Sequence, residues 1–268
     1  MLSLVTIVHL LAPKCKSTAR INDLCSLVWQ HGRMDATTPR ARAREQTMRD
    51  IVRIGRAHLA TEGAAALSLR AVARDLGLVS SAVYRYVESR DELLTLLVVD
   101  GYDELGDAVD AALADVDASD HAGRMVALAR AVRAWALAEP ATYALLFGSP
   151  VPGYRAPAER TTAPGTRVIG RLVEIWEDAW RAGASTASRA DETPVAPRRL
   201  ARDLARIRRR MGLTAPDRLI ARGLFGWAAL FGCVSWEVFG QYGPDTFAQP
   251  GDLFEHHLTA LVEAVGLG

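Results

Sequence analysis

The segment from Ser68 to Leu93 constrains the chain most, because its residue pattern fits a helix, a tight turn, a second short helix and the marked start of a third. Ser68 suits an N-cap, and Leu69, Val72, Ala73 and Leu76 fall on one helical face. Gly77 stands where a left-handed residue ends a helix. Leu78 and Val79 carry the turn, and Ser80 or Ser81 can cap the next helix. Val83 and Val87 would face inward, while Ser81, Ala82, Tyr84 and Arg85 would face outward. That outward set suits a major groove, since small residues permit close approach and Tyr and Arg supply hydrogen bonds. Ser89 and Glu92 then form a capping box directly ahead of Leu93 and Leu94.

Taken in order, Gly77-Leu78-Val79-Ser80-Ser81-Ala82-Val83-Tyr84-Arg85-Tyr86-Val87 followed by Glu88-Ser89-Arg90-Asp91-Glu92-Leu93 resembles the tetracycline-repressor (TetR) family of bacterial transcription regulators. That family's pattern is Gly-Val-Ser-x-x-x-Leu-Tyr-x-His-Phe, then x-Ser-Lys-x-x-Leu. Val83, Tyr86, Val87 and Arg90 depart from it, each keeping the physical role of the residue it replaces. The second half also resembles the family's WHG-type C-terminal domain, through the stretches Ala138 to Gly148 and Leu224 to Gly232. Phe231 stands where that class often has His, so a polar role there is absent.

Composition narrows the alternatives. With 268 residues, half of them hydrophobic, and few alternating β-branched runs, an all-α chain is expected. The formal net charge of +1 does not itself announce nucleic acid. The arginines at 40, 42, 44, 49, 53 and 56 nevertheless crowd the approach to the helix-turn-helix, where a basic arm neutralises phosphates or enters the minor groove. Cys15, Cys25 and Cys233 show neither metal spacing nor a disulfide framework, and His256-His257 is a poor metal pair; no metal or cofactor is expected. No phosphate loop, carboxylate pair or nucleophile elbow is apparent, so no catalytic residue is assigned.

The expected organisation has three parts: residues 1–38 as a disordered or mis-started extension, 39–89 as the DNA-binding domain, and 90–268 as a helical effector-binding and dimerisation domain. Met34 fits a natural start, since a short polar, basic tail follows it. The first helix should run from Pro39 or Ala41 to Glu62, burying Met48, Ile51, Val52, Gly55 and Leu59, with Gly63 as its stop. Further helices are expected over 90–114, 121–138, from Pro140 to Phe147, 165–182, 198–210, 214–239 and 252–265. Residues 151–164 read as a loop and 183–197 as a flexible linker. The basic helix 198–210 reads as a solvated face. The stretch Leu224 to Trp236 is apolar nearly all round and reads as a buried core helix too short for a membrane span.

The resemblance implies a cytoplasmic homodimer that binds an inverted-repeat operator, one half-site per recognition helix, and releases it when a small apolar effector binds. Ser81, Ala82, Tyr84 and Arg85 are the candidates for bases. Ser68, Arg70, Ser80, Tyr86 and Arg90 are the candidates for phosphates, with Arg42 and Arg44 along the backbone or minor groove. Trp135, Tyr143, Phe147, Trp176, Trp180, Trp227 and Phe231 are candidate walls of an effector pocket. Gly223, Gly226, Ala229, Gly232, Leu258 and Leu261 are candidates for the dimer interface, because small residues let another helix approach; packing within the chain is the open alternative, since small residues serve both. The competing readings are a helical ligand-binding or interaction protein without DNA binding, and a helical enzyme.

Overall fold

The computed structural model describes residues 38–185 and 197–267. The expectations for residues before Thr38, including a start at Met34, and for most of the 183–197 linker lie outside the described residues. Among the described residues there are helices and no strands: α1 (Pro39–Ala66), α2 (Leu69–Asp75), α3 (Ser80–Val83), α4 (Arg90–Ala114), α5 (His121–Ala138), α6 (Pro140–Phe147), α7 (Ala158–Gly165), α8 (Arg167–Arg181), α9 (Arg198–Met211), α10 (Asp217–Val238) and α11 (Pro250–Ala264). Two compact units result. One holds residues 38–97 and 151–155; the other holds 98–150, 156–185 and 197–267, so α4 contributes to both.

In the smaller unit, Thr38 caps α1 by accepting from the Ala41 amide, and Pro39 occupies the first turn, where its missing N–H costs nothing. Gly63, at φ 76° and ψ 167°, breaks α1 where expected, and a short further turn follows. The core gathers Ile51, Ile54 and Leu59 from α1 with Leu69, Val72, Val83, Val87, Leu93, Leu94 and Leu97. Gly55 belongs to this packing, since a Cβ there would lie 3.3 Å from both Leu93 and Leu97. The expected stripe is thus shifted: Ile54 and His58 are buried, whereas Met48 and Val52 are half-buried.

The larger unit is built around α5, whose Met125, Leu128, Ala129, Val132 and Ala136 are fully buried among α6, α8, α10 and α11. Asp120 caps this helix through the Gly123 amide at 2.8 Å. Charge ties the bundle as well: Arg133 grips Glu237 of α10, Arg130 grips Glu255 of α11, and Arg167 of α8 reaches Asp107 and Asp110 of α4.

Two expectations fail here. Residues 151–164 are not wholly a loop, because α7 forms over Ala158–Gly165; its threonine hydroxyls bond back to carbonyls four residues earlier, and Pro164 falls late enough to interrupt little. Helix α10 is not buried all round. Gly223, Gly226, Leu230, Phe231 and Val234 are buried, while Phe225 and Trp236, with Phe239 just past its end, are exposed by 58%, 55% and 41%. The whole helix, at 22 residues, has the length and apolar composition of a membrane span, although the stretch Leu224 to Trp236 alone does not, and it packs among α5, α8, α9 and α11.

Candidate DNA interface and ligand cavity

The turn between α2 and α3 takes the shape its residues dictate. Gly77 sits at φ 68°, and the Leu78 amide closes on the Ala73 carbonyl at 2.9 Å. Ser68 is the N-cap of α2, although its side chain makes no capping bond. Val79, not Ser80 or Ser81, is the N-cap of α3, which places both serines inside its first turn. Because α3 has only four residues, it buries two adjacent side chains, and Ala82, expected outward, is buried beside Val83. Ser81, Tyr84 and Arg85 are exposed and Ser80 is half-buried. The outward face therefore combines a hydroxyl, a phenol and a guanidinium, groups that hydrogen-bond base edges and phosphates.

The basic approach is ordered by its own contacts. Arg44 lies over the Tyr86 ring, 5.2 Å from its centroid, so two residues expected at the DNA backbone are held together. Arg42 and Arg70 are exposed. Arg49 pairs with Glu45 and Arg53 with Asp50 along α1. Arg90 is placed differently from expectation: its guanidinium donates to the carbonyls of Ala64 and Ala65 at 2.7 and 3.1 Å, closing the end of α1 against the start of α4. Ser89 accepts from the Glu92 amide as the capping box requires. His58 was not foreseen. Its Nε2 lies 2.6 Å from Asp75 and joins α1 to α2; this hydrogen bond holds the Asp75 carboxyl below the usual carboxylate range.

The candidate pocket residues do not form one wall. Tyr143, Phe147, Phe231 and Trp227 stack in a chain with centroid spacings of 5.1, 4.6 and 4.2 Å. The Tyr143 hydroxyl meets Ser235 at 2.8 Å, and burial raises the phenol above its ordinary value. The Trp135 Nε1–H donates to Glu104 at 3.1 Å. Of the residues named for the pocket, Trp176 and Trp227 line the open space, while Trp180 packs on Ala215 and Leu219.

That space is a cavity of about 660 Å³, counted out to its open mouth, between α8, α9 and α10. Ile207 and Met211 of α9 form one wall, Ile169 and Val173 of α8 another, and Ile220 and Leu224 of α10 a third. These walls were missed because α9 reads as a solvated arginine face; only its minority apolar side, including the buried Leu204, carried the signal. Glu177, at the cavity edge, is buried and accepts from the amides of Thr214 and Ala215.

Four of the six candidates for the dimer interface pack within the chain. Gly223 and Gly226 form a notch for the Trp176 ring: a Cβ on Gly223 would strike it, and one on Gly226 would meet Val265 at 2.6 Å and Trp176 at 3.3 Å. Leu258 and Leu261 are buried within the bundle. A Cβ on Gly232 would meet open space, and Ala229 is half-buried.

Comparison with known proteins agrees with this architecture. The family described as "Tetracyclin repressor-like, C-terminal domain" matches residues 125–261. A curated HTH-type transcriptional regulator of Mycobacterium tuberculosis (strain H37Rv) is 49% identical over 220 residues, covering 82% of this chain and 92% of the relative. The protein belongs to the tetracycline-repressor family. A counterpart in Mycobacterium bovis shows the same identity and coverage. A solved structure described as a putative regulatory protein is 34% identical to this TetR-family chain, with a TM-score of 0.68, over 84% of this chain and all of the other. A putative TetR-family regulator from Shewanella sp. PV-4, at 15% identity, TM-score 0.52 and coverage of 82% and 95%, shares the fold.

Proposed function

We propose that this TetR-family regulator acts in the cytoplasm as a homodimeric repressor that leaves an inverted-repeat operator when a small apolar effector occupies its larger unit. The observation that carries the reading is the folded helix-turn-helix, with Ser81, Tyr84 and Arg85 exposed together on and just after α3. Ser81, Tyr84 and Arg85 contact bases; Ser68, Arg70, Ser80 and the Arg44–Tyr86 pair contact phosphates, with Arg42 beside them. Arg90 positions α1 against α4, and Ala82 supports α3 from within.

The dimer face is the outer stripe of α10. Phe225, Gly232, Trp236 and Phe239 recur at helical spacing and leave apolar surface exposed, which a second copy covers. An effector acts only through different affinity for the DNA-competent and DNA-incompetent states.

Selection of bound sequences from a random duplex pool, at about physiological salt where non-specific phosphate binding is weak, tests the reading. Enrichment of an inverted repeat is expected. Enrichment of single half-sites would remove the dimer, and retention independent of sequence would remove the regulator.

A further inference from the structure

We infer that the cavity beneath α9 binds one uncharged, apolar small molecule, with α9 as a hinged lid and Glu177 as the latch on its hinge. The inference rests on the reading of the larger unit as the effector-binding part. It adds the position of the site, the absence of charge on its occupant and the element that admits it.

The lining selects the occupant. The cavity lies between α8, α9 and α10 and is lined almost wholly by apolar side chains. Its walls are Ile, Leu, Val, Met and Trp, with Glu177 as the charged exception. That carboxylate is already engaged: Oε1 takes the Thr214 amide, the Thr214 hydroxyl and Arg181 Nε at 2.8, 2.5 and 3.0 Å, and Oε2 takes the Ala215 amide at 3.2 Å. A cationic ligand would have to compete with these partners, and an anionic one would face a fixed like charge. Uncharged, apolar chemistry is what the walls reward.

The lid follows from how α9 is attached. Its main packing partner is α10, and Leu204 is its one buried side chain. Arg198, Arg199, Arg202, Arg206 and Arg209 stand in solvent, while Ile207 and Met211 turn onto the cavity. At its end Gly212 adopts the left-handed conformation, φ 64° and ψ 28°, and the chain turns over residues 213–216 into α10. Glu177 of α8 holds the two amides within that turn. A helix that buries one side chain, and is fastened at its end by Glu177 and by the half-exposed Arg208–Asp217 pair to α10, opens at lower cost than the core does.

The test uses the full chain and N-phenylnaphthylamine, a neutral fluorescent probe, beside its anionic relative anilinonaphthalenesulfonate. Saturable binding of one neutral probe per chain is expected, with weaker binding of the anion. Ile207→Trp, which fills the cavity from the lid, should weaken the neutral probe by about tenfold or more. Glu177→Gln should speed both association and release by about threefold to tenfold, because the latch loses its charge-assisted bonds. On the unaltered chain, hydrogen exchange should slow in α9 and the 212–216 turn when probe saturates, a readout independent of whether either variant folds. Binding insensitive to Ile207→Trp, a preference for the anion, or unchanged exchange in α9 would each overturn the proposal. If the probe binds as expected and operator affinity does not change, the site stands and the effector-release reading falls instead.

Discussion

At the scale of single residues, chemistry and geometry combine at a few positions. Arg85 is exposed immediately after α3, so Arg85→Ala should cost about 1–3 kcal/mol of operator binding and relax selectivity at one base position. Titration against matched and mismatched duplexes reads both effects; an equal loss on all sequences would reassign Arg85 to phosphate. Gly223 lies under the Trp176 ring with no room for a Cβ. Gly223→Ala should therefore destabilise the larger unit by about 1–3 kcal/mol, seen as a lower denaturant midpoint. The Gly-Trp notch shows why a stripe of small residues is ambiguous in a sequence. Smallness signals close approach, but which partner approaches depends on where Trp176, many residues away in the chain, is delivered.

At the scale of elements, helices are fastened by charge as well as by apolar packing. Gly106 of α4 leaves room for Arg167, whose guanidinium would be 2.7 Å from a Cβ there, and Arg171 completes the grip on Asp110. Burial pushes the Asp110 carboxyl up, but the bonds from Arg171 and Arg167 outweigh it and leave the group below its ordinary value of 3.8. A carboxyl depressed in this way stabilises the folded state above the unfolded value, and that contribution is lost as pH falls through the folded one. Asp110→Asn should flatten the loss of stability below about pH 4, where the unfolded carboxyl begins to take up protons. Acid titration followed by circular dichroism is the measurement, and a slope equal to that of the unaltered chain would count against the clamp. Element ends were largely legible in the sequence. Pro140, the Ser89 capping box, Gly63, Gly77 and Gly240 act within their own few residues, so α4, α5 and α6 begin and end where their residues indicate. Helix α7 was hidden because its Pro and Gly content resembles a loop, and its buried Thr161 shows only in the folded bundle.

For the whole molecule, the proposed assembly rests on the exposed side of α10. Phe225→Glu together with Trp236→Glu places charge in the proposed interface without touching the buried face of α10. Sedimentation should show monomers at micromolar concentrations where the unaltered chain is dimeric. Operator affinity should fall with it, because the two half-sites are then bound separately. A dimer that survives both substitutions would place the interface elsewhere.

The all-α architecture, the helix-turn-helix and the family are written in local patterns: capping residues, left-handed glycines and apolar spacing act over one or two turns, and neighbouring residues suffice to show them. The aromatic residues were visible in the same way, but their roles were not. Tyr143, Phe147, Phe231 and Trp227 stack on one another, and of these Trp227 also faces the open space that Trp176 lines. Likewise Arg90 turned to the end of α1, Ala82 turned inward, and the arginine helix became the wall of a cavity. Each outcome depends on which side chains from distant segments arrive at the same place, and only the tertiary structure decides that.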